Sequence, residues 1–418
     1  LLAQLEKYEA DHGTVVVMET ETGEIKAISN LGRTTKGTYF EKLNYAVGET
    51  HEPGSTFKLM ALVVALEDKV IDTSTIVDTK NGIMTIRRNH VRDSKHGGYG
   101  EISAAKAFEV SSNVGIVKLI YDNYKDKPQK FIDGLNRMNL NKDLGISIKG
   151  EGKPYIPTPG DRTWSAISLP WMAYGYGSIQ ITPLQTLAFY NAIANDGVLV
   201  KPRFIKEIKE WDKTIVKNEM EVLNPAICSM ETIKKVKEMM KNVVVRGTAK
   251  SLYSPNFSMA GKTGTAQTEY WKEGWASNRQ YISSFVGYFP AENPKYTSIV
   301  VIHKPNNKIG IYGADVSGPV FKRIAQKIYT DTPLEDEIET LDIQNKIISE
   351  DFERFYTTAQ NEKKLMPDVT GMPVMDAMSL LENLGLQVRV SGNGTVKDQS
   401  VQPGEKIKKN QKIDLSLS

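Results

Sequence analysis

The sequence predicts an α/β fold of the α+β kind, with a mostly antiparallel sheet and helices inserted between its first and last strands. Residues 14–28 have the pattern of a β-hairpin, with two apolar segments on either side of a turn. Three short apolar segments after Met259, separated by polar turns that contain Asn or Pro, have the pattern of an antiparallel meander. We therefore expect one sheet that joins both ends of the main domain.

Length and composition narrow the class of protein. A chain of 418 residues is long for one hydrophobic core, so two or more domains are expected. With 40% hydrophobic and 25% charged residues the composition is that of a globular protein. The net charge of +3 gives no indication of nucleic-acid binding. The single cysteine, Cys228, excludes an internal disulfide and a cysteine-based metal site.

The first residues suggest a piece of a longer protein. The chain begins with Leu1 and shows no signal-peptide pattern. Its longest apolar stretch, Leu59 to Leu66, is far shorter than the roughly 20 residues that span a bilayer. We therefore expect that an amino-terminal part, with any membrane anchor, is missing from this sequence.

The first half of the chain carries three clear element patterns. The turn-prone Glu21-Thr22-Gly23 connects the two strands of the hairpin. A helix is predicted from about Ser55, after Pro53-Gly54, because Leu59, Leu62, Val63 and Leu66 have the spacing of a buried helical face. Residues 104–123 predict a helix interrupted at Ser111-Ser112-Asn113, since Ser and Asn favour caps and turns over helix interiors.

The second half begins with mixed, helix-rich sequence and ends in strands. Helices are predicted at Leu184 to Ala194, after Thr182-Pro183, and at Ile233 to Val245. The expected strands of the meander are Met259 to Gln267, Tyr281 to Phe289 and Tyr296 to His303. Pro319 suits the first position of a further helix with an apolar stripe.

The carboxy-terminal region predicts a second, small domain. We assign residues 1–332 to the main domain, 333–365 to an acidic linker and 366–418 to a small αβ module. The last segment has one helical pattern, ending at Gly385, and strand patterns near residues 386–390 and 413–417. A module of about 50 residues has a small core and is marginally stable alone.

Three short motifs carry the chemistry. They are Ser55-x-x-Lys58, Ser111-x-Asn113 and Lys262-Thr263-Gly264-Thr265, in that order. Taken singly, the first has the pattern of a helix cap with a solvated lysine, the second of a turn and the third of a strand end with a glycine bulge. Their joint occurrence in this order favours an active-site serine enzyme that opens amide bonds.

The first motif supplies a nucleophile and a base. A serine hydroxyl reacts poorly near neutral pH and needs a base within hydrogen-bond reach. Residues three apart share one face of a helix, so Lys58 can approach Ser55. Lys58 accepts a proton only if burial and nearby positive charge lower its pKa, and Lys262 could supply that charge. The backbone N–H of Ser55, in the first helical turn, can donate to an oxyanion.

The other two motifs are assigned to proton relay and substrate binding. We expect Ser111 to pass a proton towards the leaving group, and Asn113 to hold Lys58 and a substrate amide. Strand residues 262–265 can bind an extended peptide along the sheet edge, with Gly264 allowing close approach of its backbone. Lys262, Thr263 and Thr265 offer a charge and two hydroxyls to a terminal carboxylate, and the Thr265 N–H is a second oxyanion donor.

No metal site or cofactor is predicted. The histidines are scattered along the chain without the spacing of paired ligands: His12, His51, His90, His96 and His303. His51, four residues before Ser55, is assigned a structural role.

Several longer segments resemble the class B penicillin-binding proteins. Residues 51–58, which read His-Glu-Pro-Gly-Ser-Thr-Phe-Lys, are similar to the nucleophile segment of that family. The further matching segments are Tyr174 to Gly177, Thr182 to Gln185, Ala260 to Gln267 and Phe285 to Pro290. The resemblance covers roughly residues 1–330 and implies a transpeptidase fold with an all-helical subdomain.

The resemblance also implies a reaction and its partners. Ser55 would attack the D-Ala-D-Ala end of one peptidoglycan stem peptide, release D-Ala and pass the acyl group to an amine on a neighbouring strand. β-Lactams would inhibit the enzyme covalently. The implied place is the bacterial cell envelope, on the extracytoplasmic face of the cytoplasmic membrane, in septal wall synthesis with a glycosyltransferase and other divisome proteins.

Residues 366–418 resemble a single PASTA module. The similarity rests on Pro367-Asp368-Val369-x-Gly371, on Leu384-Gly385-Leu386 and on Val401-x-Pro403-Gly404. One carboxy-terminal module of this kind suggests the division or sporulation branch of the family. Two alternatives remain, a β-lactam-hydrolysing enzyme and a non-catalytic β-lactam or muropeptide sensor. The sequence after Asn113 lacks the Glu-x-x-Leu-Asn pattern that a class A β-lactamase uses for hydrolysis.

Overall fold

The computed structural model contains two compact units, a large unit (Leu1–Asp331) and a small unit (Thr332–Ser418). The predicted acidic linker lies, up to residue 364, outside the residues that the structure describes. The described residues are 1–211, 213–270, 272–274, 278–331 and 365–417.

The large unit alternates helices and strands along the chain. Its strands are β1 (His12–Glu19), β2 (Ile25–Arg33), β3 (Tyr39–Glu41), β4 (Ile76–Asp78), β5 (Ile83–Ile86), β6 (Asn89–Arg92), β7 (Glu101–Ser103), β8 (Leu199–Val200), β9 (Glu207–Glu210), β10 (Lys213–Lys217), β11 (Val222–Asn224), β12 (Ala260–Thr268), β13 (Gln280–Phe289) and β14 (Tyr296–His303). Its helices are α1 (Leu2–Lys7), α2 (Tyr45–Gly48), α3 (Phe57–Glu67), α4 (Ala104–Glu109), α5 (Asn113–Tyr124), α6 (Pro128–Arg137), α7 (Ser168–Met172), α8 (Pro183–Ala194), α9 (Met230–Arg246), α10 (Gly313–Val316) and α11 (Gly318–Asp331).

One antiparallel sheet joins the two ends of the large unit. Its strand order is β12-β13-β14-β1-β2-β3, so the first hairpin pairs with the last meander through β1 and β14. In this central pair Val15 lies opposite Val300 and Val16 opposite Ile299. The predicted fold class, with a mostly antiparallel sheet and inserted helices, is confirmed. Strand β12 forms one edge of the sheet.

Helices α3 and α8 pass through the interior. Every residue of α3 from Phe57 to Leu66 is buried, as are all those of α8. A helix that is apolar on all sides belongs inside a large core, which explains the apolar run after Ser55. Thr182 and Gln185 form a capping box at the start of α8. In the described part of the chain, no helix combines the length and apolar character needed to cross a membrane.

Asn191 joins α8 to the sheet. Its side chain is fully buried, and its Nδ2 donates to the carbonyl of Thr20 at 2.9 Å. Its Oδ1 accepts a hydrogen bond from the hydroxyl of Thr297 at 2.8 Å. One amide therefore satisfies two buried polar groups, one after β1 and one on β14.

The small unit packs one helix on a three-stranded sheet. Its elements are α12 (Val374–Asn383), β15 (Gln387–Ser391), β16 (Val396–Gln399) and β17 (Lys412–Leu417). β15 runs parallel to β17, and β16 runs antiparallel to it. The predicted helix and two strands are present. The short and mostly polar β16 has no clear strand pattern in the sequence. The core of the small unit contains, among other buried residues, Met366, Val369, Leu381 and Ile413.

We expect Asn191→Ala to lower the free energy of unfolding of the large unit by about 2–3 kcal/mol, because two buried partners lose their hydrogen bonds. Denaturant unfolding of both variants and the parent checks this. The control, Asn123→Ala on the exposed face of α5, should change stability by less than about 0.5 kcal/mol. Equal effects of the two substitutions would contradict the role assigned to Asn191.

Candidate active site

Ser55 lies in a tight turn at the start of α3. Residues Gly54–Thr56 form a single 3-10 turn that continues into the α-helix at Phe57. The predicted helix start near Ser55 is therefore confirmed, but its first turn is a 3-10 turn, which is tighter than an α-helical turn. Gly54 has a φ of +56°, and a Cβ there would lie 2.7 Å from the Cβ of Ala266. Only glycine lets this turn lie so close to β12.

The turn is held from two sides. The Thr56 hydroxyl donates to the Pro53 carbonyl at 2.8 Å, and the buried Tyr190 hydroxyl donates to the Thr56 carbonyl at 2.8 Å. Ser55 itself is partly exposed, and its hydroxyl makes no hydrogen bond with any described residue. Catalytic hydrogen bonds often form only when substrate is bound. The hydroxyl is thus accessible on a rigid support.

Lys58 is fully buried one turn after Ser55 and joins the second motif. Its Nζ donates to the Ser111 carbonyl at 2.7 Å, to the Ser111 Oγ at 3.1 Å and to the Asn113 Oδ1 at 2.7 Å. The Asn113 Nδ2 donates in turn to the Arg92 carbonyl at 2.7 Å. Asn113 is therefore oriented with its oxygen towards Lys58.

Ser111 occupies a strained position between α4 and α5. Its φ of +56° lies in the left-handed region that residues other than glycine rarely adopt. The carboxylate of Asp93 supports the following residues, accepting from the Ser112 hydroxyl at 2.9 Å and from the Val114 N–H at 2.9 Å. The sequence predicted the interruption of the helix but not the support by Asp93.

Lys262, from the third motif, also contacts Ser111. It is fully buried on the edge strand β12. Its Nζ donates to the Ser111 Oγ at 2.9 Å and to the Thr263 carbonyl at 2.8 Å, and lies 5.6 Å from the centre of the Phe108 ring. The three motifs are thus brought together around the Ser111 hydroxyl.

Burial of the two lysines changes their titration. Burial lowers the pKa of Lys58 to about 7, although the charge of Asp93 acts in the opposite direction. Burial and the neighbouring Lys58 lower the pKa of Lys262 well below its ordinary value. Two ammonium groups that share one hydroxyl also repel each other. Near neutral pH the pair therefore holds less than its full positive charge, and Lys58 is partly available as a base.

Strand β12 presents an open edge beside the Ser55 turn. Gly264 is buried, and a Cβ there would lie 2.1 Å from the Ser284 Oγ and 3.0 Å from the Thr56 Cγ2. The N–H of Gln267 points outward to the Tyr176 hydroxyl at 2.8 Å. On an edge strand of an antiparallel sheet every second N–H points outward. The N–H groups of Thr265 and Thr263 therefore also face away from β13.

A second polar network, with no role assigned from the sequence, supports the segment before Ser55. The buried Glu52 accepts from the Ser178 N–H at 3.0 Å and from the Tyr270 hydroxyl at 2.8 Å. Burial raises the pKa of this carboxyl, although the two hydrogen bonds oppose the shift. Glu52 belongs to the segment 51–58, which resembles the nucleophile segment of the family. The sequence therefore indicated that the segment is functional, but it could not show the hydrogen-bond partners of Glu52.

The comparisons with known proteins agree with this geometry. The penicillin binding protein transpeptidase domain matches residues 13–326, and the PASTA domain matches residues 364–418. The chain belongs to the penicillin-binding protein transpeptidase family, and its relatives are class B members of it.

Two curated relatives illustrate the match. Stage V sporulation protein D of Bacillus subtilis is 29% identical over 99% of this chain and 62% of its own length. Penicillin-binding protein PbpB of Mycolicibacterium smegmatis is 28% identical over 76% of this chain and 50% of its own length. The chain thus spans only about half to three-fifths of these relatives.

Two solved structures show the same fold. The transpeptidase domain of penicillin-binding protein 3 from Burkholderia pseudomallei aligns with a TM-score of 0.66 at 26% identity, covering 79% of this chain and 92% of that one. Penicillin-binding protein 3 from Mycobacterium tuberculosis in complex with aztreonam aligns with a TM-score of 0.63 at 25% identity, covering 77% of this chain and 76% of that one.

We expect Lys58 to lose its proton with a midpoint near 7, because burial lowers its pKa from the ordinary value of a lysine. Selective isotope labelling of lysine side chains and titration by NMR measure this, and Lys58→Met identifies the signal. Asp93→Asn should move the midpoint to lower pH, because the carboxylate stabilises the ammonium form of Lys58. A midpoint near the ordinary value of about 10.4 for both lysines would contradict the burial argument.

Proposed function

We propose that this protein is a serine-type D-Ala-D-Ala transpeptidase. It cross-links peptidoglycan stem peptides through an acyl-enzyme on Ser55, and β-lactams acylate the same residue. One observation carries the proposal: a fully buried lysine, Lys58, and a second one, Lys262, converge on Ser111 next to the turn that holds Ser55. A serine nucleophile needs a base close by at neutral pH, and the buried Lys58 can act as that base.

Acylation begins with proton transfer from Ser55 to the neutral form of Lys58. The Ser55 Oγ forms a bond to the carbonyl carbon of the penultimate D-Ala, and the bond to the terminal D-Ala nitrogen then breaks. Ser111 donates its proton to that nitrogen and takes one from Lys58, with which it already shares a hydrogen bond. D-Ala leaves as an amine, and the proton balance is complete.

The oxyanion is stabilised by two backbone N–H groups. That of Ser55 lies in a first helical turn, where N–H groups lack a helical acceptor. That of Thr265 faces outward from the edge of β12, as the alternation from Gln267 requires. One donor of this kind is worth about 2.7–4 kcal/mol in the transition state.

Recognition of the terminal carboxylate falls to β12. Lys262, Thr263 and Thr265 lie along the strand on which an extended peptide can add to the sheet edge. An arriving carboxylate favours the charged form of Lys262, whose pKa burial holds down in the free protein. Substrate binding and charging of Lys262 are therefore coupled.

The second half-reaction transfers the acyl group to an amine of a neighbouring stem peptide.

The relatives include a stage V sporulation protein of Bacillus subtilis and a peptidoglycan D,D-transpeptidase of Buchnera aphidicola. These relatives support a location in the bacterial cell envelope. We further propose that the protein lies on the extracytoplasmic face of the cytoplasmic membrane, which the family resemblance implies. Its role there is septal wall synthesis, with a glycosyltransferase and other divisome proteins as partners.

The domain division is part of the proposal. We assign catalysis to residues 1–332 and treat 366–418 as a separate module joined by the acidic linker. All three motifs lie before Ala266.

The hydrolase and sensor alternatives differ from a transpeptidase in the fate of the acyl-enzyme. Steady-state hydrolysis of penicillin would indicate the β-lactam-hydrolysing enzyme. Failure to cross-link a lipid-linked substrate would indicate one of the two alternatives rather than a transpeptidase.

We expect a penicillin to add one drug mass to the intact protein and peptide mapping to locate it on Ser55. Ser55→Ala should remove the label because no other serine in the described part of the chain combines a helix start with the two lysines. The exposed Ser251→Ala is the matched control and should be labelled like the parent. Labelling of Ser55→Ala to the parent's extent would show that another residue is the nucleophile.

Lys58 and Lys262 should fail differently. Lys58→Met should slow acylation by every ligand at least roughly 100-fold, because it removes the base. Lys262→Ala should slow acylation by a carboxylate-bearing penicillin roughly 10- to 100-fold more than acylation by its ester, because only the former uses the charge. Stopped-flow rates with Lys250→Ala, an exposed lysine, provide the control. The same loss with both ligands would contradict the role of Lys262.

A further inference from the structure

A group of metal-binding side chains lies at the far end of the central strand pair. His12 begins β1, and His303 ends β14 directly opposite it. Their rings stack with centroids 4.1 Å apart. Glu49, just after α2, places its Oε2 2.8 Å from the His12 Nε2 and 3.5 Å from the His303 Nε2. All three potential ligand atoms lie within 4.8 Å of one another.

Protein contacts leave this group incomplete. The His303 Nε2 is buried and has no hydrogen-bond partner among the described residues, although its side chain is only 6% exposed. Leaving a buried polar atom unpaired is costly, so the His303 Nε2 calls for a further partner such as an ion. The His12 Nδ1 is paired with the Asp11 Oδ2 at 3.0 Å. A carboxylate on one ring nitrogen orients the other nitrogen for metal binding.

We propose that His12, Glu49 and His303 bind a divalent transition-metal ion of the zinc type. Two imidazoles and one carboxylate form a donor set that suits Zn²⁺ over Mg²⁺ or Ca²⁺, which prefer oxygen ligands. Ligand bonds of about 2.0–2.2 Å place neighbouring donors roughly 3.3 Å apart in a tetrahedron. The two measured separations from Glu49 lie on either side of this value. Small side-chain shifts, opening the ring stack, therefore create the site.

The ion has a route of entry and a structural consequence. The side chain of Glu49 is 33% exposed, whereas both histidines are buried, so the ion enters from the side of Glu49 and keeps a water there. Glu49 starts the segment that continues through Glu52 to Ser55. The metal therefore joins the central strands to the segment that ends in the Ser55 turn. This site does not depend on the proposed reaction.

Binding of Co²⁺ to the full chain, after removal of metal with a chelator, tests the proposal. We expect one ion per chain with the visible absorption of a histidine-ligated centre, displaced by Zn²⁺, and a Zn²⁺-dependent rise in the melting temperature. Glu49→Gln and His303→Asn should each weaken binding at least roughly tenfold. The exposed His90→Asn should bind like the parent.

If the His303→Asn variant does not fold because His303 is buried, the Glu49→Gln variant decides the result, since the Glu49 side chain is partly exposed. Binding that persists unchanged in Glu49→Gln, or binding lost equally in His90→Asn, would place the ion elsewhere. A parent chain that takes up no Co²⁺ and melts at the same temperature with and without Zn²⁺ would overturn the proposal. In that case His12 and Glu49 form only an ion pair.

Discussion

The burial of two lysine side chains around one serine is the constraint on which the rest of the site depends. Lys58 and Lys262 are both fully buried, and both donate to the Ser111 Oγ. Moving an ammonium group out of water is costly, and placing two of them together costs more. The surrounding structure must therefore supply acceptors at fixed positions. It does so with the Ser111 and Thr263 carbonyls and the Asn113 amide oxygen.

Rigid elements hold the two lysines and their acceptors in place. Lys58 lies on the buried part of α3, and Lys262 lies on a strand of the main sheet. Ser111 has a left-handed conformation in the loop that Asp93 supports. Strain in this loop is tolerated because the neighbouring helices fix both its ends. The result is a site whose titration is set by the fold, since the lowered pKa of Lys58 comes from burial.

The Ser55 segment lies against the sheet and is anchored at two points. Tyr190 holds it at the Thr56 carbonyl, and the Glu52 network holds it before the turn. The metal-binding group proposed at Glu49 would anchor the same segment at its start. Gly54 and Gly264 lie on facing surfaces, where added side chains would meet Ala266 and Thr56 respectively. The close approach of the turn and the strand edge thus requires glycine on both sides.

The sequence by itself determined the element types, the antiparallel sheet and the three motifs. These properties depend on local patterns: short apolar segments between turns for β12 to β14, an apolar run for α3, and Ser111-Ser112-Asn113 at a helix break. The family resemblance added the reaction in which the motif residues would act.

Only the tertiary structure decided which residues meet. The meeting of Lys58, Ser111 and Lys262, the support of Ser112 by Asp93 and the pairing of His12 with His303 all join distant segments. Scattered histidines gave no metal spacing because strand pairing, not sequence distance, brings them together. Burial and neighbouring charges arise only in the folded chain, so the pKa values of the lysines could not be read from the sequence.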